Sequence, residues 1–244
     1  MNRETQDVLL MLLGGAMVKI AVDGSYLRYV KASLHPYLLI AGVFIIVLAI
    51  AAIIRDVRRG NATDGSGHAH STKPYWMLLV PIGVILFVAP PALGASSIAA
   101  GPTISRVVAP TPEPFPPLPT GPAPIVSMVD LAARAARDSN GTLDGRRITV
   151  SGFVVHTANG GSPRLDGSRS GIDLARIVIV CCIADARTVR VHLAGPIAGY
   201  SDGTWLSVQG TVVPHSATVA TGLTPTLTVT DVQRIDAPHN TYEY

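Results

Sequence analysis

The stretch "IVIVCCIADA", residues 177–186, holds both cysteines of this 244-residue chain. Cys181 and Cys182 are adjacent, and Asp185 follows three residues after the second. Thiolates and a carboxylate together suit zinc or a similar divalent ion. The spacing predicts a metal site formed by these three residues. The candidates for a fourth ligand are His156, His192 and His215.

The apolar residues before the pair predict a buried strand, and neighbours in a strand point to opposite faces of the sheet. If both sulfurs reach one site, the backbone must turn or bulge at Cys182. A disulfide between adjacent residues closes a strained ring and is not expected. The alternative has one thiol in the core and one at the surface, with Asp185 as a turn residue.

Two further histidines, His68 and His70, lie two residues apart in the Gly- and Ser-rich stretch "GSGHAHS". Such a pair can bind a metal ion transiently, and a solvated linker is the alternative. The sequence therefore predicts a second, weaker metal-binding segment there.

The composition predicts a membrane protein. Hydrophobic residues make up 48% of the chain, charged residues 14%, and the mean hydropathy is +0.38; soluble domains have about 25% charged residues. Three apolar segments, about 8–24, 34–54 and 75–94, predict transmembrane helices within a membrane domain over 1–95. The first contains Lys19, which would reach the interface, and a signal peptide is the competing interpretation of that segment.

Positive residues set the predicted orientation. The loop after the second predicted span contains Arg55, Arg58, Arg59 and Lys73, whereas the loop after the first contains only Arg28 and Lys31. The richer loop should be cytoplasmic, which places the carboxyl-terminal domain outside the cell. The chain is thus predicted to be a multi-pass protein of a bacterial cell membrane, in contact with the lipid bilayer.

A proline-rich segment over 96–124, including "APTPEPFPPLPTGPAP", predicts an extended spacer. Ser127 and Asp130 then form a potential capping box for one short helix ending near Arg137. Alternating segments with internal glycines, Gly152 and Gly210, predict at least five strands. The domain over 125–244 is therefore predicted to be a small all-β, OB-like barrel with one short helix.

Several segments resemble the YcgQ-like family of bacterial membrane proteins, whose members are described as permease subunits. The similar segments are Tyr29–Pro36, "GHAHS" at 67–71, "ARIVIVCCIADA" at 175–186, "GTWLSVQG" at 203–210 and "PHNTYEY" at 238–244. Thr241 stands where a second proline is common in the family. The resemblance covers nearly the whole chain and implies pairing with a multi-span permease and a link to metal homeostasis.

The sequence thus predicts an accessory subunit of a bacterial membrane permease, whose external barrel binds or senses substrate, including a metal ion. The alternative is a membrane-anchored thiol redox or metal-binding protein acting without a permease, although no Cys-x-x-Cys motif is present. Nucleic acid is not expected as a partner, because aromatic residues are few and the domain is predicted to be external. The sequence contains no hydrolase triad, phosphate loop or paired catalytic carboxylates, so it predicts a role other than catalysis.

Overall fold

A computed structural model describes residues 3–58, 83, 92–95, 111–157, 164, 171–197 and 199–244. The chain divides into two compact units. One comprises Met1–Pro91 with Cys181–Ile183, and the other comprises Ala92–Val180 with Ala184–Tyr244. The predicted third span lies outside the described residues except for Gly83 and residues 92–94, and so do His68 and His70.

Two helices form most of the described part of the first unit. Helix α1 spans Arg3–Val22 and α2 spans His35–Arg58, joined by 3₁₀ turns at Ser25–Arg28 and Ala32–Leu34. They cross antiparallel, and a Cβ added at Gly14 would lie 2.8 Å from Ile46 Cγ1 and 2.9 Å from the Gly42 carbonyl oxygen. Glycine at this crossing therefore allows the two backbones to approach closely.

The outer face of α2 is apolar. Its exposed large side chains include Tyr37, Ile40, Phe44 and Val47. Within the part of the chain that the structure describes, Ala32–Arg55 is the one helical segment with the length and composition to cross a membrane. Helix α1 contains residues 8–22 of the predicted first span. The structure thus supports one anchoring helix, and the multi-pass arrangement stays a prediction.

The first unit also contains the short segment Cys181–Ile183. Its backbone pairs antiparallel with the α1–α2 connection. The Lys31 N–H donates to the Cys181 carbonyl at 3.1 Å, and the Ile183 N–H donates to the Tyr29 carbonyl at 2.8 Å. These bonds fix the conformation of the cysteine-bearing segment.

The second unit is built on a mixed six-stranded sheet. Its strands are β1 (Arg147–Thr157), β2 (Gly171–Val178), β3 (Arg187–Ala194), β4 (Trp205–Val212), β5 (Thr226–Arg234) and β6 (Tyr242–Glu243). The order is β1-β4-β5-β3-β2-β6, and an additional β1–β2 pairing closes a ring of five strands. The β3–β5 and β2–β6 pairs are parallel and the others antiparallel.

Glycines allow the ring to bend, as the sequence predicts for Gly152 and Gly210. A Cβ at Gly152 would lie 2.6 Å from the Ala175 carbonyl oxygen, and one at Gly210 would collide with the Thr228 carbonyl. The β4–β5 register also shifts between Gln209 and Gly210. Side chains larger than glycine would force the neighbouring strands apart at these points.

The predicted short helix is confirmed as α3, which spans Met128–Arg137. The Ser127 hydroxyl oxygen accepts the Asp130 N–H at 3.1 Å, so the predicted cap is formed. Met128 and Leu131 are fully buried in the main core, together with inward-facing residues of the ring such as Val154. Helix α3 therefore covers part of the core that the ring encloses.

A second, smaller core lies on the opposite face of β1 and β2. Phe153 and Val155 belong to it, whereas Val154 belongs to the main core, as expected when successive side chains alternate. Ile177 and Tyr242 are buried in the same cluster, and Leu93 packs against it. Both faces of β2 are therefore buried.

The described part of the proline-rich segment does not behave as a spacer. The Glu113 N–H donates to the Arg137 carbonyl at 2.9 Å, Leu118 is buried in the main core, and Phe115 lies under the Arg134 guanidinium. The apolar side chains among the prolines provide the driving force for this packing. The folded unit thus begins before the predicted boundary at Ile125, while residues 96–110 lie outside the described residues.

Candidate metal centre

The two cysteines lie in the connection between β2 and β3. Ile177 and Ile179 are buried, whereas Val180 is 70% exposed, so the chain leaves the core directly before Cys181. A 3₁₀ turn at Ile183–Asp185 then returns the chain to β3. The predicted turn of the backbone at the cysteine pair is therefore present.

Asp185 helps to shape this connection. One of its carboxylate oxygens, Oδ1, accepts the Val180 N–H at 2.6 Å. This is the role of a turn residue that the sequence suggests. It is compatible with metal binding as well, because an ionised carboxylate has two oxygens that accept.

The connection brings the three predicted ligands together. One ligand atom each from Cys181, Cys182 and Asp185 lies within 4.8 Å of the other two. Cys181 is exposed, and no disulfide joins it to Cys182. With zinc–sulfur bonds of about 2.3 Å, sulfurs of a tetrahedral zinc site are about 3.8 Å apart. Small side-chain rotations would therefore suffice, and the residues fit a borderline or soft divalent ion.

His192 lies elsewhere. In the β2–β3 register it pairs with Asp173, whereas Val178, at the end of β2, pairs with Arg187. Five residues of strand separate His192 from Arg187, which is roughly 16 Å at the usual rise. The structure thus does not bring His192 to the cysteines.

His192 belongs instead to a buried ionic cluster with Asp173 and Arg164. Its Nδ1 lies 2.7 Å from Asp173 Oδ1, and the Arg164 guanidinium donates to the same oxygen at 2.7 Å. Asp173 and His192 are fully buried. Glycine is favoured at position 171, since side chains rarely adopt its φ of +149° and a Cβ would displace the Arg164 guanidinium.

Sequence reasoning missed Asp173 and Arg164. One signal was available: a single aspartate interrupts the otherwise apolar strand in "GIDLARIV". Its partner Arg164, however, comes from the connection before β2, and no local pattern identifies it. The other carboxylate oxygen, Asp173 Oδ2, is buried and has no hydrogen-bond partner among the described residues.

The other two candidates for a fourth ligand, His156 and His215, also lie apart from the cysteine group. His156 is at the end of β1, where its N–H and its Nδ1 lie 2.6 and 2.7 Å from Asp202 Oδ1. Desolvation raises the pKa of Asp202, but the hydrogen bonds and charge of His156 outweigh it and lower that pKa overall. His215 is exposed in the β4–β5 turn with a φ of 55°. Within the described ranges, only Cys181, Cys182 and Asp185 form a group of three potential metal ligands.

Comparison with known families gives two consecutive matches. Residues 6–101 match the DUF1980 N-terminal domain, and residues 136–244 match the DUF1980 C-terminal domain. Neither the curated proteins nor the solved structures gave a match. The resemblance to the YcgQ-like family stays a prediction, and so does the role of this chain as a permease subunit. With both domains present in order, the chain belongs to the DUF1980 family.

Proposed function

We propose that this chain is a membrane-anchored metal-binding protein that holds zinc, or a similar divalent ion, at the β2–β3 connection. The observation that carries the proposal is the convergence of Cys181, Cys182 and Asp185 within 4.8 Å. Two thiolates and a carboxylate offer charge and softness suited to such an ion.

The exposure of Cys181 indicates an accessible site. Three protein ligands leave one position of a tetrahedral ion for water, a substrate or a group from a partner, whereas structural zinc sites usually have four protein ligands. An accessible site of this kind favours exchange of the ion over a permanent role in folding. That property suits a protein that presents or senses a metal ion at a membrane.

Zinc titration of the full-length chain in detergent micelles, followed by calorimetry, tests this proposal. We expect about one ion per chain and loss of binding on replacing Cys181 and Cys182 with serine. Asp202→Asn, at an exposed carboxylate remote in the fold, provides the control that should retain binding. Unchanged binding by the serine variant would contradict the proposal.

We infer further that the chain acts as an accessory subunit of a multi-span permease. One described helix has the length and composition to span a membrane, and its residues 36–54 include no charged side chain. Such a helix suits lipid or a partner helix and does not suit a polar path for an ion. Reconstituted alone in liposomes, the chain should not transport zinc, and tagged chain should co-purify with a permease from native membranes. Zinc transport by the chain alone would refute the inference.

We propose that the ring is an OB-like barrel and that it lies outside the cell. The five-strand closure, with a parallel β3–β5 pair, supports the first point. The positive-residue count supports the second. In a cysteine-free chain, an impermeant thiol reagent on intact cells should label Asn240→Cys and spare Gly65→Cys. The reverse pattern would overturn the orientation.

A thiol redox function is the second candidate, favoured by the exposure of Cys181 beside Cys182. The two candidates differ in their response to a chelator. Removal of zinc should increase the reaction of both thiols with an alkylating reagent if the metal proposal holds. Equal reaction with and without zinc would favour the redox function.

A further inference from the structure

The carboxyl-terminal strand β6 occupies a gap in the ring. The last β1–β2 pair is Phe153 with Ala175, and β6 then takes the place beside β2, where Tyr242 pairs with Ile177. Strand β6 has only two residues. The edge of β2 is thus completed by Tyr242 and Glu243 of the same chain.

The Glu243 carboxylate binds the amino terminus of α3. Its Oε1 accepts the Met128 N–H at 3.3 Å, and its Oε2 accepts the Val129 N–H at 3.1 Å. Backbone N–H groups and the helix dipole make this end of a ten-residue helix favourable for an anion. Both carboxylate oxygens are therefore bound by main-chain donors of α3.

A buried cation faces the same carboxylate. The Arg176 side chain is only 9% exposed, and its Nε lies 3.4 Å from Glu243 Oε1. That nitrogen is close enough for an ion pair but makes no aligned hydrogen bond with any described residue. The Arg176 guanidinium also lies 4.9 Å from the Trp205 ring centroid. A buried arginine with donor capacity remaining is a second, independent sign of an anion-binding pocket.

The chain between β5 and β6 contributes nothing to either core. From Ile235 to Thr241 no residue is buried, whereas Tyr242 is only 2% exposed and its hydroxyl accepts the Leu93 N–H at 2.9 Å. Attachment is therefore concentrated in one aromatic residue, one carboxylate and a two-residue strand. This is how extended peptides bind by strand addition, with main-chain bonds for affinity and side-chain pockets for specificity.

We propose that the edge of β2, the amino terminus of α3 and Arg176 form a peptide-binding site, which Tyr242 and Glu243 of the chain's own tail occupy. The other ligand of this site is an extended segment of a partner protein that contains an aromatic residue followed by a carboxylate residue. This segment replaces Tyr242 and Glu243 in the site. The tail remains bound because it is tethered to the same chain, which gives it a high effective concentration at the site. This proposal does not depend on metal binding at the cysteines.

The test uses the full-length chain in detergent micelles with a protease site inserted between Ala237 and Pro238. After cleavage, a fluorescent peptide of the native sequence HNTYEY is added, and binding is followed by anisotropy. We expect the cut chain to bind this peptide at least about tenfold more tightly than the uncut chain, because cutting removes the tether. The matched control peptide, HNTYQY, should bind at least about tenfold more weakly than HNTYEY, because it lacks the charge that α3 and Arg176 bind.

Because the carboxylate is varied in the peptide, the protein is identical in both titrations. Circular dichroism before and after cleavage reports whether the ring stays folded. Unfolding on cleavage would show that the tail is an integral part of the fold and would overturn the proposal. So would the absence of exchange at millimolar peptide, equal binding of the two peptides, or equal binding by cut and uncut chains.

Discussion

Strands β2 and β3 carry two polar clusters at opposite ends, and the clusters differ in burial and in chemistry. Asp173 and His192 are fully buried, with Arg164 as a hydrogen-bonded ionic partner of the aspartate. Cys181 is exposed, and its neighbours in the cluster, Cys182 and Asp185, are half-buried. The first cluster meets the requirement that buried charges be paired, and the second offers soft ligands at an accessible place. We therefore expect the first to determine stability and the second to determine ligand binding.

Replacing Asp173 with alanine should have the largest effect on stability. The change removes the carboxylate that pairs with Arg164 and His192 and leaves a cation with little access to water. We expect a loss of about 3–5 kcal/mol in the free energy of unfolding. Thermal and denaturant unfolding of the full chain, monitored by the sheet signal in circular dichroism, measures it.

Asp231→Ala is the control for this prediction, because Asp231 is an exposed carboxylate on β5. It should change the free energy of unfolding by less than about 0.5 kcal/mol. An Asp173→Ala chain as stable as this control would remove the distinction between the two clusters.

Replacing Asp185 with asparagine should have a smaller effect, on metal affinity. The amide keeps an oxygen that can accept the Val180 N–H, so the turn should survive, while the charge is lost. We expect zinc affinity to fall at least about tenfold, since losing a group that only supports a metal ligand already costs about 10–100-fold. Zinc titration of this variant beside Asp202→Asn separates loss of the ligand charge from a general loss of surface charge. A fall of equal size in both variants would show that Asp185 has no particular role.

The smallest expected effect, on stability, concerns Asp138. This carboxylate is half-buried, so it is more exposed than Asp173 and less exposed than Cys181. Desolvation raises its pKa, but hydrogen bonds from Thr142 and from the Asn140 N–H outweigh it, so the pKa lies below the ordinary value of 3.8. The bond from the Thr142 N–H is 2.7 Å. Since the folded pKa is lower than the unfolded one, the ionised form stabilises the fold above the unfolded value. That contribution disappears as the pH falls through the folded pKa.

We therefore expect Asp138→Asn to destabilise the chain by about 1 kcal/mol at neutral pH. The difference between parent and variant should shrink once the pH is below the ordinary range of aspartate. Denaturant unfolding at neutral and acidic pH measures both values. A difference independent of pH would show that the charge of Asp138 does not contribute.

Local patterns predicted the parts of the molecule that local interactions determine. The Ser127 cap, the end of α3 and the bends at Gly152 and Gly210 depend on residues close in sequence or on a steric rule. The cysteine cluster was predictable for the same reason, because its three members lie within five residues of one another.

Contacts distant in sequence were not predictable in this way. The pairing of Arg164 with Asp173 and the docking of Glu243 on α3 depend on which strands become neighbours, and alternation within a strand does not specify that. The packing of Leu118 was missed because the surrounding prolines indicate an extended chain, and one apolar side chain among them gives no period. His192 was one of three candidate fourth ligands chosen by residue type, whereas the β2–β3 register places it beside Asp173.

Cobalt titration of the full-length chain in detergent micelles tests the central claim most directly. Thiolate coordination gives cobalt a charge-transfer absorption that carboxylate and water ligands do not produce, so the spectrum reports the ligands themselves. The parent chain and an Asp231→Ala chain should show this band, saturating at about one ion per chain, and zinc should abolish it by competition. Cys181→Ser and Cys182→Ser should each weaken it, and the double variant should lack it. A parent chain without the band, or a double variant that retains it, would contradict a metal centre at Cys181, Cys182 and Asp185.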